Sequence, residues 1–180
     1  MKHLKPLLIL FFVSLLVGGC GKDFKTPEDI KTEVAFLDAE QALPQFPFGT
    51  KPFYFYFHAD WCRYCKKMKY DVFERPEIIK YMNENFTCMS VMPDSLDDLE
   101  FLGDTVNIEE LKEAFQFKAF PSHYFFSKAG LVQGARTGYI PLLRFKQLLK
   151  YVAEGHIDKY NFDTFLLKPE SDMDTVFGEF

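Results

Sequence analysis

Phe53-Tyr54-Phe55-Tyr56-Phe57 is an unbroken run of aromatic residues that leads straight into His58-Ala59-Asp60-Trp61-Cys62-Arg63-Tyr64-Cys65-Lys66-Lys67. A continuous apolar run of this length, closed by a turn signal, suits a strand buried on both faces, as at the centre of an α/β sheet. Beyond the turn the pattern becomes helical, so the two cysteines fall at a strand-to-helix junction with two residues between them. That spacing lets a pair of thiols close into a disulfide and open again. The stretch therefore points to an α/β fold with a redox-competent dithiol at the end of its central strand.

The thiolate is the reactive form of cysteine, and an unperturbed thiol, with a pKa of about 8.5, is mostly protonated at neutral pH. A helix N-terminus offers unpaired N–H groups and the positive end of the helix dipole, and Cys62 belongs there. Cys65 lies one turn later on the same face, within reach of a mixed disulfide formed at Cys62. Cys62 is thus the expected nucleophile and Cys65 the resolving thiol. Arg63, Lys66 and Lys67 add positive charge that favours a thiolate. A structural disulfide and half of a metal site are the competing readings; the Trp-Cys-x-x-Cys-Lys context favours redox exchange.

A chain of 180 residues with 48% apolar content suits one globular domain plus appendages. Its net charge of −5 argues against a nucleic-acid partner, and no basic stripe reverses that. The 22 Phe and 9 Tyr predict an aromatic core. Nothing resembles a nucleotide loop or a Ser-His-Asp arrangement.

Residues 1–19 read as a signal peptide. Lys2 and Lys5 form a positive start, residues 7–17 are apolar except for Ser14, and Gly18-Gly19 supply small residues before Cys20. The run is shorter than the roughly 20 residues that span a bilayer. Leu16-Val17-Gly18-Gly19-Cys20 resembles a bacterial lipobox, which implies cleavage before Cys20, lipid on its thiol, and a periplasmic or otherwise extracytoplasmic protein tethered to a membrane. Val17 stands where that pattern prefers Leu, so ordinary secretion and an uncleaved anchor remain alternatives. Outside the cytoplasm disulfides form and persist, and a reductant has to be supplied.

Residues 20–27 read as a tether, 28–155 as the folded domain and 156–180 as a C-terminal extension. Thr26-Pro27-Glu28-Asp29 has the character of a helix start, with Ile30, Val34 and Leu37 at helical spacing and an end by Pro44. After the dithiol, the helix should run to about Glu74, with Arg75-Pro76 as a break before it resumes. Residues 86–92 form a second strand containing Cys88, which reads as inert packing. Residues 93–104 are acidic and read as an exposed, irregular insertion. Asn107-Ile108-Glu109-Glu110 has capping-box character and opens a helix with Ile108, Leu111 and Phe115 on one face. Phe120-Pro121-Ser122 precedes a strand, and a proline there suits a tight turn with a cis peptide. Ser127-Lys128-Ala129-Gly130 turns that strand into a hairpin with residues 131–136. A last helix from about Ile140 carries Leu142, Phe145, Leu149 and Val152 on one face and ends at Gly155. One helical turn is expected near residues 161–166, followed by an acidic tail.

With this order of elements, Ala59-Asp60-Trp61-Cys62-Arg63-Tyr64-Cys65-Lys66 and Phe120-Pro121-Ser122 resemble the thioredoxin superfamily over roughly residues 28–155. Phe73-Glu74-Arg75-Pro76-Glu77 and Tyr160-Asn161-Phe162-Asp163 are similar to the periplasmic group that includes the C-terminal domain of the disulfide-interchange protein DsbD and the SoxW-type thioredoxins. The resemblance implies a thioredoxin fold: a central mixed four-stranded sheet flanked by helices, with an N-terminal helix and a C-terminal tail. It implies that Pro121 packs beside the disulfide, that the backbone of Phe120 pairs with a substrate segment, and that Trp61 adds to substrate binding. Thioredoxins usually carry a buried acid where this chain has Tyr56, and DsbD-like domains carry one where it has Lys69. Without those carboxylates the thiolate forms more easily.

His58, next to the dithiol, is a candidate proton relay because imidazole titrates near neutral pH; the competing reading is a solvent-edge shield for the disulfide. Cys62-x-x-Cys65 lacks the following His of a c-type haem site, and a closed zinc site would need four ligands, where the one Cys-x-x-Cys pair has only His58 and His123 as additions. No metal or other cofactor is expected, although soft thiolates holding Cu(I) make a copper chaperone the non-enzymatic rival. The sequence therefore predicts an envelope thiol:disulfide oxidoreductase, a monomer whose partners are protein disulfides and a membrane thiol electron donor. Reduction is the favoured direction, with oxidase or isomerase as alternatives.

Overall fold

The computed structural model describes residues 33–95, 99–101, 104–159, 161, 164, 165 and 167. Among them, five strands form one mixed sheet: β1 (Phe36–Leu37), β2 (Phe53–Phe57), β3 (Thr87–Val91), β6 (Ser122–Phe126) and β7 (Val132–Thr137), in the spatial order β1-β3-β2-β6-β7. β1 and β2 run parallel to β3, while β6 runs antiparallel to β2 and β7 to β6. The aromatic run is thus the middle strand, and all of its residues are buried.

Alternation along β2 sorts its side chains by type, because successive residues of a strand point to opposite faces. Tyr54 and Tyr56 face a core formed with α2 (Arg63–Met68), the π-helical turn Lys69–Phe73 that continues it, α3 (Pro76–Asn85) and α5 (Leu142–Ala153). Phe53, Phe55 and Phe57 face the other core, formed with α1 (Ala39–Ala42) and α4 (Ile108–Ala114). Buried tyrosines need partners for their hydroxyls. Tyr54 Oη lies 2.7 Å from His123 Nδ1, and Tyr56 Oη donates to the carbonyl of Cys65 at 3.4 Å.

His123 links the sheet to the loop beyond β7. Its Nε2 is 3.0 Å from the Gly138 carbonyl, which can only accept, so Nε2 carries the proton and Nδ1 accepts from Tyr54. Complete burial pushes its pKa down to about 4, with the Gly138 hydrogen bond acting the other way. The unfolded chain, with a His pKa of about 6.5, then binds a proton that the native state refuses. Stability is expected to fall as pH drops from about 6.5 towards 4, by on the order of 3 kcal/mol from this group. Urea midpoints across that range test it: His123→Asn should be less stable at neutral pH yet show a shallower slope, and an unchanged slope would refute it.

The sequence expectations hold for the middle and end of the domain. Arg75 and Pro76 break the dithiol helix, and Pro76 opens α3. Asn107 and Glu110 form a reciprocal capping box on α4. Gly155 ends α5 with φ at +69°, a conformation glycine adopts without a Cβ clash. Thr164 N–H donates to Asn161 Oδ1, and Phe165 is buried against Tyr151 with ring centroids 4.6 Å apart.

Three expectations are corrected. The sheet has five strands rather than four. The added strand is β1, within the segment expected to continue an N-terminal helix; Phe36 and Leu37 pair with Cys88 and Met89 because the outer edge of β3 offers unpaired backbone groups. Helix resumes only at Ala39, where the Asp38 carboxylate caps the Gln41 N–H, and it passes into the 3-10 turn Leu43–Gln45; residues 1–32 lie outside the described residues. The acidic insertion is not irregular: it contains the 3-10 turn Pro93–Ser95 and a hairpin of β4 (Leu99–Phe101) and β5 (Asp104–Val106).

Candidate active site

β2 ends at Phe57, the His58 N–H continues its pairing by donating to the Val91 carbonyl, and the turn that follows delivers Cys62 to the start of α2. Cys62 is the N-cap. Its backbone is extended, and its Sγ accepts the N–H of Cys65 at 3.0 Å. Cys62 and Cys65 are joined by a disulfide with Cα atoms 5.2 Å apart, and both are buried. The two cysteines form a small apolar cluster with Ala59, against which Phe120 packs.

Phe120 precedes Pro121 through a cis peptide, and Pro121 is buried. The loop is pinned from both sides: the Pro121 carbonyl accepts the Gly138 N–H at 2.8 Å, and Ser122 Oγ donates to the Ala119 carbonyl at 2.7 Å. Trp61 stands 71% exposed beside the pair. Its ring meets Phe120 edge-on at 5.5 Å, and its indole N–H donates to Asp94 at 3.1 Å. Trp61, Cys62, Cys65, Phe120 and Pro121 are therefore gathered in one place although some sixty residues separate the two segments in sequence. Cys20, the expected lipid site, lies outside the described residues.

A family model described as a thioredoxin-like domain matches residues 39–153. The chain belongs to the thioredoxin-like family. A thioredoxin-fold protein from Helicobacter pylori is 22% identical, with a TM-score of 0.61, covering 70% of this chain and 83% of that one. DsbH oxidoreductase is 16% identical with a TM-score of 0.52, covering 72% of this chain and 91% of that one. A thioredoxin from Thermus thermophilus is 22% identical with a TM-score of 0.53, covering 72% and 98%. No curated protein matches in sequence. With a bonded Cys-x-x-Cys pair on this fold, the protein is a thiol:disulfide oxidoreductase.

Tyr56 lies behind the disulfide with its hydroxyl on the Cys65 carbonyl, and burial raises its phenol pKa, so the group beneath Cys65 is neutral. Lys69 is exposed, its ammonium 5.9 Å from the Tyr70 ring. His58 is half-buried and stacked on Tyr56 at 5.0 Å, with Nε2 2.6 Å from Ser90 Oγ. Burial lowers its pKa, and the charge of Asp60 opposes that shift. His58, Ser90, Tyr56 and Cys65 all line an open groove of about 750 Å³. The imidazole thus has a solvent route in common with Cys65.

Ser90 and Asp94 were not picked out by sequence reasoning. Ser90 had a faint signal, one of two hydroxyls, with Thr87, in an otherwise apolar strand; Asp94 had none, being one acid among several. Cys88 is buried in the core on the Tyr54 side of the sheet, where desolvation pushes its thiol pKa up and leaves it unreactive. Among the described residues no cluster of three or more His, Cys, Asp or Glu is placed to hold a metal ion. No described helix is long and apolar enough to cross a membrane.

Proposed function

We propose that the protein reduces disulfides of extracytoplasmic proteins, tethered to a membrane by lipid on Cys20 and recharged by a membrane thiol donor. The observation that carries the chemistry is the position of Cys62, whose Sγ already receives a helix N–H at 3.0 Å. That bond, with Arg63 beside it, stabilises a thiolate. In the reduced protein, Cys62 attacks one sulfur of a substrate disulfide, forms a mixed disulfide and expels the first substrate thiolate. Cys65 then loses its proton and attacks Cys62 Sγ, releasing the second thiolate and leaving the Cys62–Cys65 disulfide. Trp61 and the backbone of Phe120, held by Pro121, position the substrate segment.

The proton of Cys65 needs an acceptor, and His58 serves as the relay. Its lowered pKa keeps it neutral at physiological pH, Ser90 holds its ring, and the groove carries the proton to solvent. Protonation of the imidazole on acidification disables the relay, so exchange should slow as pH falls through this pKa. In His58→Ala that inflection should vanish; identical profiles for variant and parent between about pH 5 and 9 would leave the ring as a shield only.

Reduction as the direction rests on the motif's resemblance to periplasmic reductase domains. The specific observation favouring oxidation is the same N–H bond and Arg63 charge, because stabilising the thiolate stabilises the reduced form. Equilibration with glutathione decides: a potential near roughly −270 mV is expected for the reductase, and one near roughly −120 mV would make the protein an oxidase.

A further inference from the structure

We propose that the face around the dithiol selects disulfides carried in acidic segments of partner proteins. The inference rests on the oxidoreductase reading and adds the class of substrate. Arg63, Lys66 and Lys67 are exposed on successive turns of α2, Lys69 follows at the start of the π-helical turn, and the first turn of α2 holds no acid. Lys67 is occupied, 2.6 Å from Asp71 and over the Tyr139 ring at 4.6 Å. Among the described residues no ion pair engages Arg63, Lys66 or Lys69. This positive charge sits on a chain whose net charge is −5, so it is concentrated locally against the overall sign.

The same face exposes large aromatic surface. Trp61 is 71% exposed, Tyr64, between the cysteines, 56% and Tyr70 60%. Rings of this kind supply contact area with few side-chain torsions to freeze, which suits docking. Asp60 precedes Trp61 and Asp94 holds its indole N–H, while Asp71 is occupied by Lys67 and Glu33 and Glu74 share a groove with Lys66 and Lys69. A bound segment therefore meets negative charge beside Trp61 and the cations Arg63 and Lys66 on α2, which orient it with its acids over that turn of the helix. Lys66 follows Cys62 by one helical turn, so that attraction acts within reach of the attacking sulfur.

The test uses two cystine peptides of equal length, one with Glu and one with Lys beside the disulfide, and excess dithiothreitol as the dithiol reductant. Each turnover oxidises the Cys62/Cys65 dithiol and reduces the peptide disulfide, and dithiothreitol returns the two electrons. Rates are taken relative to uncatalysed reduction of each peptide. At low salt the acidic peptide should show a kcat/KM roughly tenfold higher, and the ratio should fall towards one as salt is raised. In a variant carrying Arg63→Glu and Lys66→Glu the preference should disappear or invert. These substitutions also shift the thiolate, but that affects both peptides alike and cancels in the ratio. Equal rates in the parent protein, or a preference that survives salt or the double substitution, overturns the proposal while leaving the oxidoreductase reading intact. Turnover of neither peptide overturns both.

Discussion

Cys65→Ser is expected to turn the protein from a catalyst into a trap. Cys62 keeps its place at the start of α2 and still attacks a disulfide, but a serine hydroxyl cannot displace the substrate from the mixed disulfide. Turnover should fall by at least on the order of a thousandfold, as it does when one member of a catalytic unit is removed. On a non-reducing gel the variant should run as an adduct with an oxidised protein substrate, released by dithiothreitol, whereas Cys62→Ser should capture nothing. Exposure does not distinguish the two cysteines, at 5% for Cys62 and 6% for Cys65. What separates them is the N–H directed at Cys62 Sγ and the proximity of Cys65 to Tyr56, His58 and the groove behind the disulfide. Adducts formed by Cys62→Ser and not by Cys65→Ser would reverse the roles and remove the basis of the mechanism.

Phe55→Ala should destabilise the fold by about 3–5 kcal/mol, the usual cost of emptying a buried phenylalanine site. Phe55 is fully buried in the middle strand, with the rings of Phe46, Phe115 and Phe126 at 5.3, 5.9 and 4.9 Å. Those neighbours come from a loop, the end of a helix and an adjacent strand, so the cavity cannot close by moving one element. Set against a total stability of roughly 5–15 kcal/mol, the loss leaves the native state marginal. Urea unfolding measures it directly; a loss of less than about 1 kcal/mol would contradict the central place given to β2. The dithiol should suffer too, since β2 delivers the turn that places Cys62.

Much of the site could be read from local rules. The aromatic run announced a fully buried strand, the Cys-x-x-Cys pair at its end announced exchange chemistry, and Pro121 marked a tight turn found as a cis peptide. Asn107 with Glu110, Pro76 and Gly155 each mark a helix boundary that lies where they indicate. These signals act between residues a few positions apart and need no knowledge of the rest of the chain. The helical spacing of Ile30, Val34 and Leu37 is also a local signal, but over Phe36 and Leu37 the open edge of β3 outweighs it.

What the sequence by itself determined is the middle strand, the chemistry of the pair at its end, and the caps and breaks that delimit the helices around it. Only the tertiary structure decided that Tyr54 and Tyr56 share one face with His123 while the phenylalanines fill the other. It also decided that Ser90 holds His58 and Asp94 holds Trp61, across 32 and 33 residues of chain. The reason is physical: caps, turns and periodicity are satisfied by neighbours along the backbone, whereas these contacts exist only once β2, β3 and β6 have settled into register.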